Sequence, residues 1–378
     1  MDFRLPPEVA DARRRMRAFV EAELVPLEPD LPPFASALPP AAAGTLVGRL
    51  KAAGLWALAV PRAYGGGGLG LVGLCALREA LGHTTAWSLA RLLGTEPPIL
   101  LYDAGEEQRR RYLLPAIRGE RSGCFALTEP EAGSDAGAIA LRAVPDGAGQ
   151  YVLNGRKIFT SHADEADFAL VFGVVPEAGA AGAGGITMFL VDMDTPGLRI
   201  VRRIETMGGD RPCELVFEDC RVPAAQRVGD PGDAFALAQK WFVCDRIALQ
   251  PPICVGAAAR CLALALREGV AVPGEAGLLA IRLAAVREML YHAAWRADRG
   301  EDVRHEASLL KATATTLALE VTARVMDWFG PAGMGRALPV ERYHRDLRRF
   351  TIAAGTFEIQ QYIIARGLLR GHAGIDVL

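Results

Sequence analysis

The stretch Ala126-Leu-Thr-Glu-Pro-Glu-Ala-Gly-Ser-Asp135 carries the most specific signal in this chain. It follows a short apolar run that reads as a strand, and it supplies hydroxyls, backbone amides and a glycine. Hydroxyls and amides can hold the polar edge of a ring, and glycine allows the backbone to approach closely. From these residues alone the stretch is either a binding loop or a decorated β-turn.

The surrounding segment, from Cys124 to about Val222, is rich in short β-type runs that turn residues separate. The predicted strands are 151–160, 168–175, 186–191 and 213–217. The turns between them include Pro145-Asp-Gly, Asn154-Gly and Thr195-Pro-Gly. This spacing predicts an antiparallel sandwich or barrel.

Both flanks of this segment have a helical pattern. Predicted N-terminal helices cover 8–25, 42–53 and 71–82. On the C-terminal side apolar residues recur at spacings of three and four, as at Leu279, Leu283, Val286, Leu290 and Ala293. Long helices with one apolar stripe are typical of bundles. We predict an N-terminal helical domain over 1–120, a middle β-barrel over 121–228 and a C-terminal helical bundle over 229–378.

Charge and composition exclude several function classes. The 378 residues hold 42 Lys+Arg and 44 Asp+Glu, so a net charge of -2 provides no field to attract nucleic acid or an anionic membrane. The seven cysteines form no C-x-x-C pair, which favours buried thiols in a reducing compartment. The six histidines lack metal-ligand spacing. We expect a soluble, cytoplasmic protein without metal, nucleic-acid or membrane partners.

The glycine-rich stretch Gly65-Gly-Gly-Gly-Leu-Gly70 invites comparison with a phosphate-binding loop. A P-loop needs a preceding strand and a Lys-Ser/Thr pair, and neither accompanies this stretch. The better interpretation is a tight turn.

The stretch 126–135 is similar to the A-x-T-E-P-x-A-G-S-D signature of the acyl-CoA dehydrogenase family. Further segments resemble that family in the family's own order. They are Val60-Pro-Arg-Ala-Tyr-Gly-Gly-Gly-Gly-Leu69, Gly105-Glu-Glu-Gln-Arg109, Tyr112-Leu-Leu-Pro115, Tyr151-Val-Leu-Asn-Gly-Arg-Lys157, Glu214-Leu-Val-Phe-Glu-Asp-Cys-Arg-Val-Pro223, and Gly355-Thr356 with Glu358-Ile-Gln360. The resemblance spans about 60 to 360. It implies an α+β multidomain fold with an N-terminal all-α domain, a middle β-barrel and a C-terminal four-helix bundle.

The resemblance implies FAD as the cofactor. Leu127 and Thr128 would hold the pyrimidine edge of the flavin, Phe159 would pack on the isoalloxazine ring, and Ser161 would lie near its reactive nitrogen. Ser134 would contact the acyl carrier as well as the cofactor region.

The resemblance also implies that subunits share FAD. Thr356 and Glu358 are candidates for contacts with a neighbouring subunit's FAD, so a homotetramer or homodimer is expected. Asp327 and Pro331 depart from the family's Q-x-x-G-G-x-G turn, and the R-x-x-F-G motif is replaced by Arg267-Glu-Gly-Val. Asp327 cannot donate as glutamine does, so these contacts are expected to be weaker.

Family chemistry oxidises an acyl thioester between its α and β carbons, and a carboxylate removes the α-proton. The usual base precedes Gly-Thr and is replaced here by Ala354, whose backbone N–H can still serve the oxyanion site. A second base position, as in isovaleryl-CoA dehydrogenase, falls on Asp245, and Arg246 follows it. In the alternative interpretation Asp245 is a surface acid paired with Arg246 or with a neighbouring chain. Glu96, near the rim of the acyl pocket, is a further candidate.

The leading functional hypothesis is an FAD-dependent acyl-CoA or acyl-carrier-protein dehydrogenase. It would pass electrons to an electron-transfer flavoprotein or a similar acceptor. Two alternatives stay open: a non-catalytic or hetero-oligomer partner subunit, and a flavin monooxygenase of the same fold. Pro251-Pro252 should also kink the first bundle helix close to Asp245.

Overall fold

The computed structural model describes residues 4–32, 34, 40–86, 99–176, 185–208 and 210–371. These residues form two compact units. Unit 1 draws its described residues from Met1–Thr95, Met207–Gly209 and Phe242–Leu378, and unit 2 from Glu96–Thr206 and Asp210–Trp241. Helical N- and C-terminal regions flank a central sheet in the chain, so the predicted fold class is confirmed.

Helices of both units follow the predicted pattern, with shifted ends. They are α1 Pro7–Phe19, α2 Pro40–Ala52, α3 Gly70–Leu81, α4 Glu106–Gln108, α5 Leu114–Arg118, α6 Ala234–Ala248, α7 Gln250–Arg267, α8 Pro273–Asp298, α9 Arg304–Phe329, α10 Val340–Arg348 and α11 Phe357–Leu369. The first predicted helix was too long: α1 gives way to a π-helical turn at Val20 and to a 3-10 turn at Val25. Pro26 lacks the N–H that a continuing α-helix needs.

The prolines 251 and 252 interrupt the helix as predicted. α6 ends at Ala248, and α7 begins at Gln250 with proline in its first turn. Together Ala234–Arg267 would be long and apolar enough to cross a membrane, but 72% of the most apolar window is buried inside the protein. A core helix of a soluble protein passes the same test of length and composition.

Unit 1 has one hydrophobic core that joins both ends of the chain. Fully buried side chains come from α1, α3, α7, α8 and α9, represented by Met16, Leu77, Val255, Leu290 and Leu317. The N-terminal helices in this unit therefore bury their apolar faces against the C-terminal helices. The two units do not coincide with the three predicted domains, whose boundaries stay a prediction.

Helices α3 and α7 cross where two glycines meet. A Cβ on Gly256 would lie 2.1 Å from the Glu79 carbonyl oxygen, and one on Gly82 would lie 2.6 Å from the Ile253 carbonyl oxygen. Backbone atoms cannot move aside as a flexible side chain can. The crossing therefore requires residues without side chains.

Gly256→Ala should lower the free energy of unfolding by about 1–3 kcal/mol, because the added methyl forces two packed helices apart. Gly277→Ala is the matched control, since a Cβ at this exposed α8 position meets nothing within 4 Å. The control should gain about 0.5–1 kcal/mol from the removal of helical glycine. Urea unfolding of both variants measures the difference, and equal midpoints would contradict the tight crossing.

The glycine-rich stretch is a structural turn, which confirms that interpretation. The N–H groups of Gly66, Gly67 and Gly68 donate to the carbonyls of Pro61, Ala57 and Val60 at 3.3, 3.1 and 2.9 Å. Their amides are therefore not available to a phosphate.

The start of α3 is capped from a distant part of unit 1. The Asp298 carboxylate, at the end of α8, accepts from the N–H groups of Leu71 and Val72 at 2.7 and 3.0 Å. A carboxylate at a helix N-terminus satisfies open N–H groups and complements the helix dipole.

The described residues of unit 2 form an eight-stranded sheet. Its strands are β1 Gly123–Ala126, β2 Arg142–Pro145, β3 Gln150–Thr160, β4 Phe168–Val175, β5 Gly185–Asp192, β6 Leu198–Arg203, β7 Cys213–Pro223 and β8 Arg227–Val228. The order is β6-β7-β3-β2-β4-β5-β8, with β1 paired to β4. Most pairs are antiparallel as predicted, but β1 and β2 both run parallel to β4. The parallel β1–β4 pair places the end of β1, and the 126–135 stretch after it, beside the sheet centre.

Candidate active-site residues

Phe159 is an exposed aromatic residue of the predicted flavin site in unit 2. Its side chain is 58% exposed, next to the buried Thr160 at the end of strand β3. Its φ of +55° is in the left-handed region, which is unusual for an aromatic residue. Such a backbone aims a large ring at solvent, where a flat ligand could cover it.

Leu127 and Thr128 are tied to the same end of β3. The Thr128 carbonyl accepts from the Ile158 N–H at 2.9 Å, and the Leu127 carbonyl accepts from Lys157 Nζ at 2.9 Å. Leu127 is buried, and the half-buried Thr128 hydroxyl has no protein partner among the described residues. The structure therefore brings Leu127 and Thr128 together with Phe159, as the resemblance implies.

A buried ion pair fastens this loop. Lys157, with no exposed surface, contacts Glu129 Oε1 at 2.6 Å. Glu129 also accepts from the N–H groups of Ala140 and Leu141 at 2.6 and 2.9 Å. Burial lowers the pKa of Lys157 to about 8, while the contact with Glu129 opposes that shift. Glu129 and Lys157 both belong to motifs of the sequence, but the sequence alone predicted no role for either residue.

The predicted polar contacts of unit 2 differ in their surroundings. The Ser161 hydroxyl is exposed and lies 3.3 Å from Asp210 Oδ2. Ser134 is exposed in the loop before the turn at Ala136–Ala138. Neither hydroxyl is buried against the protein, so both are open to a bound molecule.

Asp245, in unit 1, is buried, which makes the surface-acid interpretation wrong. Its side chain is 6% exposed, and Oδ2 has no hydrogen-bond partner among the residues that the structure describes. Burial raises the pKa of Asp245 to about 6, while the positive charges of Arg78, Lys311 and Arg246 oppose that rise. A carboxylate that is buried, unpaired and near neutral in pKa has the properties of a general base.

The turn Ala353–Gly355 lies in the same unit and has an unusual backbone. The φ values of Ala354 and Gly355 are +56° and +94°. Buried side chains bind all three carbonyl oxygens of this turn. Gln250 donates to Ala353 at 3.4 Å, Arg246 to Ala354 at 3.4 Å, and Lys311 and Gln360 to Gly355 at 2.5 and 3.0 Å.

With its carbonyls held, the turn presents the Ala354 N–H, whereas the Ala353 N–H donates to the Arg349 carbonyl at 2.9 Å. The Ala354 N–H has no acceptor among the described residues, so it is available to an oxygen atom of a ligand. Thr356 caps the following helix, since its hydroxyl accepts from the Ile359 N–H at 3.3 Å. Glu358 is exposed in the first turn of α11. Glu96 lies outside the described residues.

Sequence reasoning missed the side chains that hold this turn. Lys311 is 1% exposed, Gln250 2% and Gln360 0%. The Oε1 atoms of both glutamines have no hydrogen-bond partner within the described part of the chain. A signal was present, because Lys311 stands within the apolar pattern of α9 between Leu310 and Ala312. A polar residue at a core-facing helical position needs a buried partner.

The described residues contain no group of three or more His, Cys, Asp or Glu that could hold a metal ion. All seven cysteines are free, and six are buried as predicted. Cys244 is only partly buried, which corrects the expectation for that residue.

Comparison with known proteins places this architecture. The N-terminal, middle and C-terminal domain models of acyl-CoA dehydrogenases match residues 6–120, 124–220 and 253–369. An acyl-CoA dehydrogenase of Bacillus subtilis (strain 168) is 32% identical over 353 residues, which cover 86% of this chain and 90% of that protein.

Solved structures agree over nearly the whole chain. Butyryl-CoA dehydrogenase from Megasphaera elsdenii has a TM-score of 0.87 at 26% identity and covers 98% of this chain and 100% of its own. An FAD complex of PigA has a TM-score of 0.82 at 27% identity, with the same coverage. The chain belongs to the acyl-CoA dehydrogenase family, oxidoreductases that act on CH–CH bonds. The predicted family and enzyme class are confirmed.

Proposed function

We propose that this chain is an FAD-dependent acyl-thioester dehydrogenase that desaturates its substrate between the α and β carbons. The observation that carries the proposal is Asp245, a buried carboxylate with an unpaired oxygen and a pKa near 6. It supplies a base in a chain whose usual base position is Ala354. Family membership supplies the reaction class.

FAD fits the residues that unit 2 presents. The exposed Phe159 ring suits a flat isoalloxazine, and the unpartnered Thr128 hydroxyl suits its polar edge. Ser161 supplies a second hydroxyl, and the similar PigA structure was solved with FAD. FAD, when bound, supplies the acceptor for the hydride that leaves the β-carbon.

The residues of unit 1 handle the proton and the thioester oxygen. Ionised Asp245 removes the α-proton, and a pKa near 6 keeps most of this carboxylate ionised at pH 7 while leaving it basic enough to take a proton. The Ala354 N–H donates to the thioester carbonyl oxygen, where negative charge develops as the α-proton departs. Because the carbonyls of the turn are already held, this donor is oriented before substrate binds.

We also propose an electron acceptor, an oligomeric state and a location for this chain. An electron-transfer flavoprotein or a similar protein accepts the electrons, and a homotetramer or homodimer forms with Thr356 and Glu358 reaching a neighbour's FAD. The exposed position of Glu358 is compatible with that contact. The acyl carrier is CoA or an acyl-carrier protein, and the location is the cytoplasm.

An anaerobic absorbance assay tests the function. The purified chain, reconstituted with FAD, should lose its visible flavin absorbance when butyryl-CoA, isovaleryl-CoA, octanoyl-CoA or the same acyl groups on acyl-carrier protein are added. Bleaching by one of these thioesters supports the dehydrogenase. Oxygen consumption that depends on supplied reduced flavin would indicate a monooxygenase, and a chain that stays colourless with FAD would indicate a non-catalytic subunit.

A further inference from the structure

Lys311 occupies an unusual position in the core of unit 1. Its side chain is 1% exposed in α9, and its ammonium donates to the Gly355 carbonyl at 2.5 Å. A buried ammonium is costly unless other groups compensate its charge. One carbonyl compensates only part of this cost, and Asp245 is the carboxylate whose charge acts on Lys311.

We infer that Lys311 is a positioning residue that acts through two other groups: it holds the turn that presents the Ala354 N–H, and its charge, together with those of Arg78 and Arg246, favours the ionised form of Asp245. This inference rests on the proposed function, because it assigns Asp245 the role of base. Lys311 then influences both the geometry of the turn at Ala354 and the protonation state of Asp245.

Buried side chains hold the backbone of the turn at Ala354 and Gly355. Ala354 has a left-handed backbone, which a residue with a side chain adopts only when surrounding contacts enforce it. Lys311 and Gln360 both bind the next carbonyl, that of Gly355, while Arg246 binds the carbonyl of Ala354 itself. Of these donors, Lys311 combines a full charge with the shortest contact to the turn.

Positive charges act on the carboxylate of Asp245. They come from three helices: Arg78 in α3, Arg246 in α6 and Lys311 in α9. Arg78 donates to the Ala248 carbonyl at 3.0 Å and Arg246 to the Ala354 carbonyl at 3.4 Å. Both keep their charge, so Lys311 is one of three cations that favour the ionised carboxylate, after Arg78 and before Arg246 in effect. Cys254 in α7 also faces Lys311, but burial raises its pKa, so this thiol stays neutral.

The ionisation of Asp245 and Lys311 sets the pH range in which both side chains are charged. Burial raises the pKa of Asp245 to about 6 and lowers the pKa of Lys311 to about 8, so both groups are ionised between these values. Removing the Lys311 charge removes one of the attractions that favour the ionised carboxylate. The pKa of Asp245 then rises by about one unit or more.

Lys311→Met tests the inference in the full-length chain. Carbon-13 NMR of labelled aspartate carboxyls, with Asp245 assigned by its loss in Asp245→Asn, should show the Asp245 midpoint about one pH unit higher in Lys311→Met. With the thioester that bleaches the flavin, the acid limb of the reduction rate should shift upward by the same amount. Lys311→Arg should keep the wild-type midpoint.

Lys51→Met is the matched control, since it removes an exposed lysine of α2 in the same unit. It should leave both midpoints unchanged. A Lys311→Met protein that loses stability but keeps the wild-type Asp245 midpoint would overturn the inference and leave Lys311 a structural residue.

A reciprocal measurement covers the case in which Lys311→Met does not fold. In Asp245→Asn, nitrogen-15 NMR of the lysine ammonium groups should show a lower pKa for Lys311 than in the wild type, because coupling between two sites acts equally in both directions. An unchanged Lys311 pKa would refute the charge coupling. Neither NMR titration needs a substrate, so failure of the proposed function and failure of this inference are distinguishable.

Discussion

Asp245→Asn should slow single-turnover reduction of the bound flavin by about 10²–10⁴-fold, the usual contribution of a general base. The amide is nearly isosteric with the carboxylate but cannot accept the α-proton. FAD binding and thioester binding should persist, because the exposed flavin residues belong to the other unit. Stopped-flow absorbance under anaerobic conditions measures the rate, and titration of the oxidised flavin spectrum measures binding.

The wild-type rate should rise as pH increases through about 6, because Asp245 must lose its proton to act. Asp346→Asn is the matched control: Asp346 is a buried acid of unit 1 that pairs with Arg342 at 3.6 Å within α10. Asp346→Asn should change the stability of the protein but leave the rate of flavin reduction near that of the wild type. Undiminished reduction in Asp245→Asn would rule out this base and move attention to Glu96 or to a carboxylate of a partner subunit.

Lys157→Met should lower the free energy of unfolding by about 3–5 kcal/mol, because it leaves Glu129 buried without its cation. The variant should also bind FAD more weakly, since Lys157 Nζ holds the Leu127 carbonyl next to Thr128. Thermal unfolding with and without FAD measures both effects.

An exposed pair on the same sheet gives the control. Arg199 and Glu218 are 57% and 64% exposed and lie 2.7 Å apart, so Arg199→Met should change stability by less than about 1 kcal/mol. The double variant Lys157→Met with Glu129→Gln should recover part of the loss, because no uncompensated charge remains buried. If Lys157→Met unfolds at the same midpoint as Arg199→Met, the loop does not depend on the buried pair.

Much of the fold could be predicted from sequence because hydrophobic periodicity is a local property. The strand 168–175 and the helix 71–82 agree with the structure to within one residue. Direction was not predictable for β1 and β2, since a four-residue strand has no local feature that distinguishes parallel from antiparallel pairing. The end of the first helix was misplaced because its apolar pattern continues into the turns that follow α1.

The site was predictable where motifs carried it and not where distant residues create it. Leu127, Thr128 and Phe159 belong to recognised stretches, and the structure brings them together. The burial of Asp245 depends on elements far along the chain, as the contact of Arg246 with Ala354 shows. No local sequence pattern distinguishes a buried acid before arginine from an exposed one. The role of Lys311 follows only from its contact with the Gly355 carbonyl, which the sequence does not predict.

The shared core of unit 1 has a consequence for the order in which the chain can fold during synthesis. Apart from 207–209, unit 2 occupies the single span 96–241, so its sheet can form while the ribosome still holds the C-terminal helices. Helices α1 and α3 emerge first and can pack against each other, but α3 gains its contacts with α7 and α8 only when those helices have been made. Even the cap of α3 arrives late, because Asp298 follows Leu71 by 227 positions. The apolar surface of α3 that packs on α7 and α8 therefore stays exposed until the C-terminal helices are synthesised, and we expect a chaperone to protect the nascent chain in that interval.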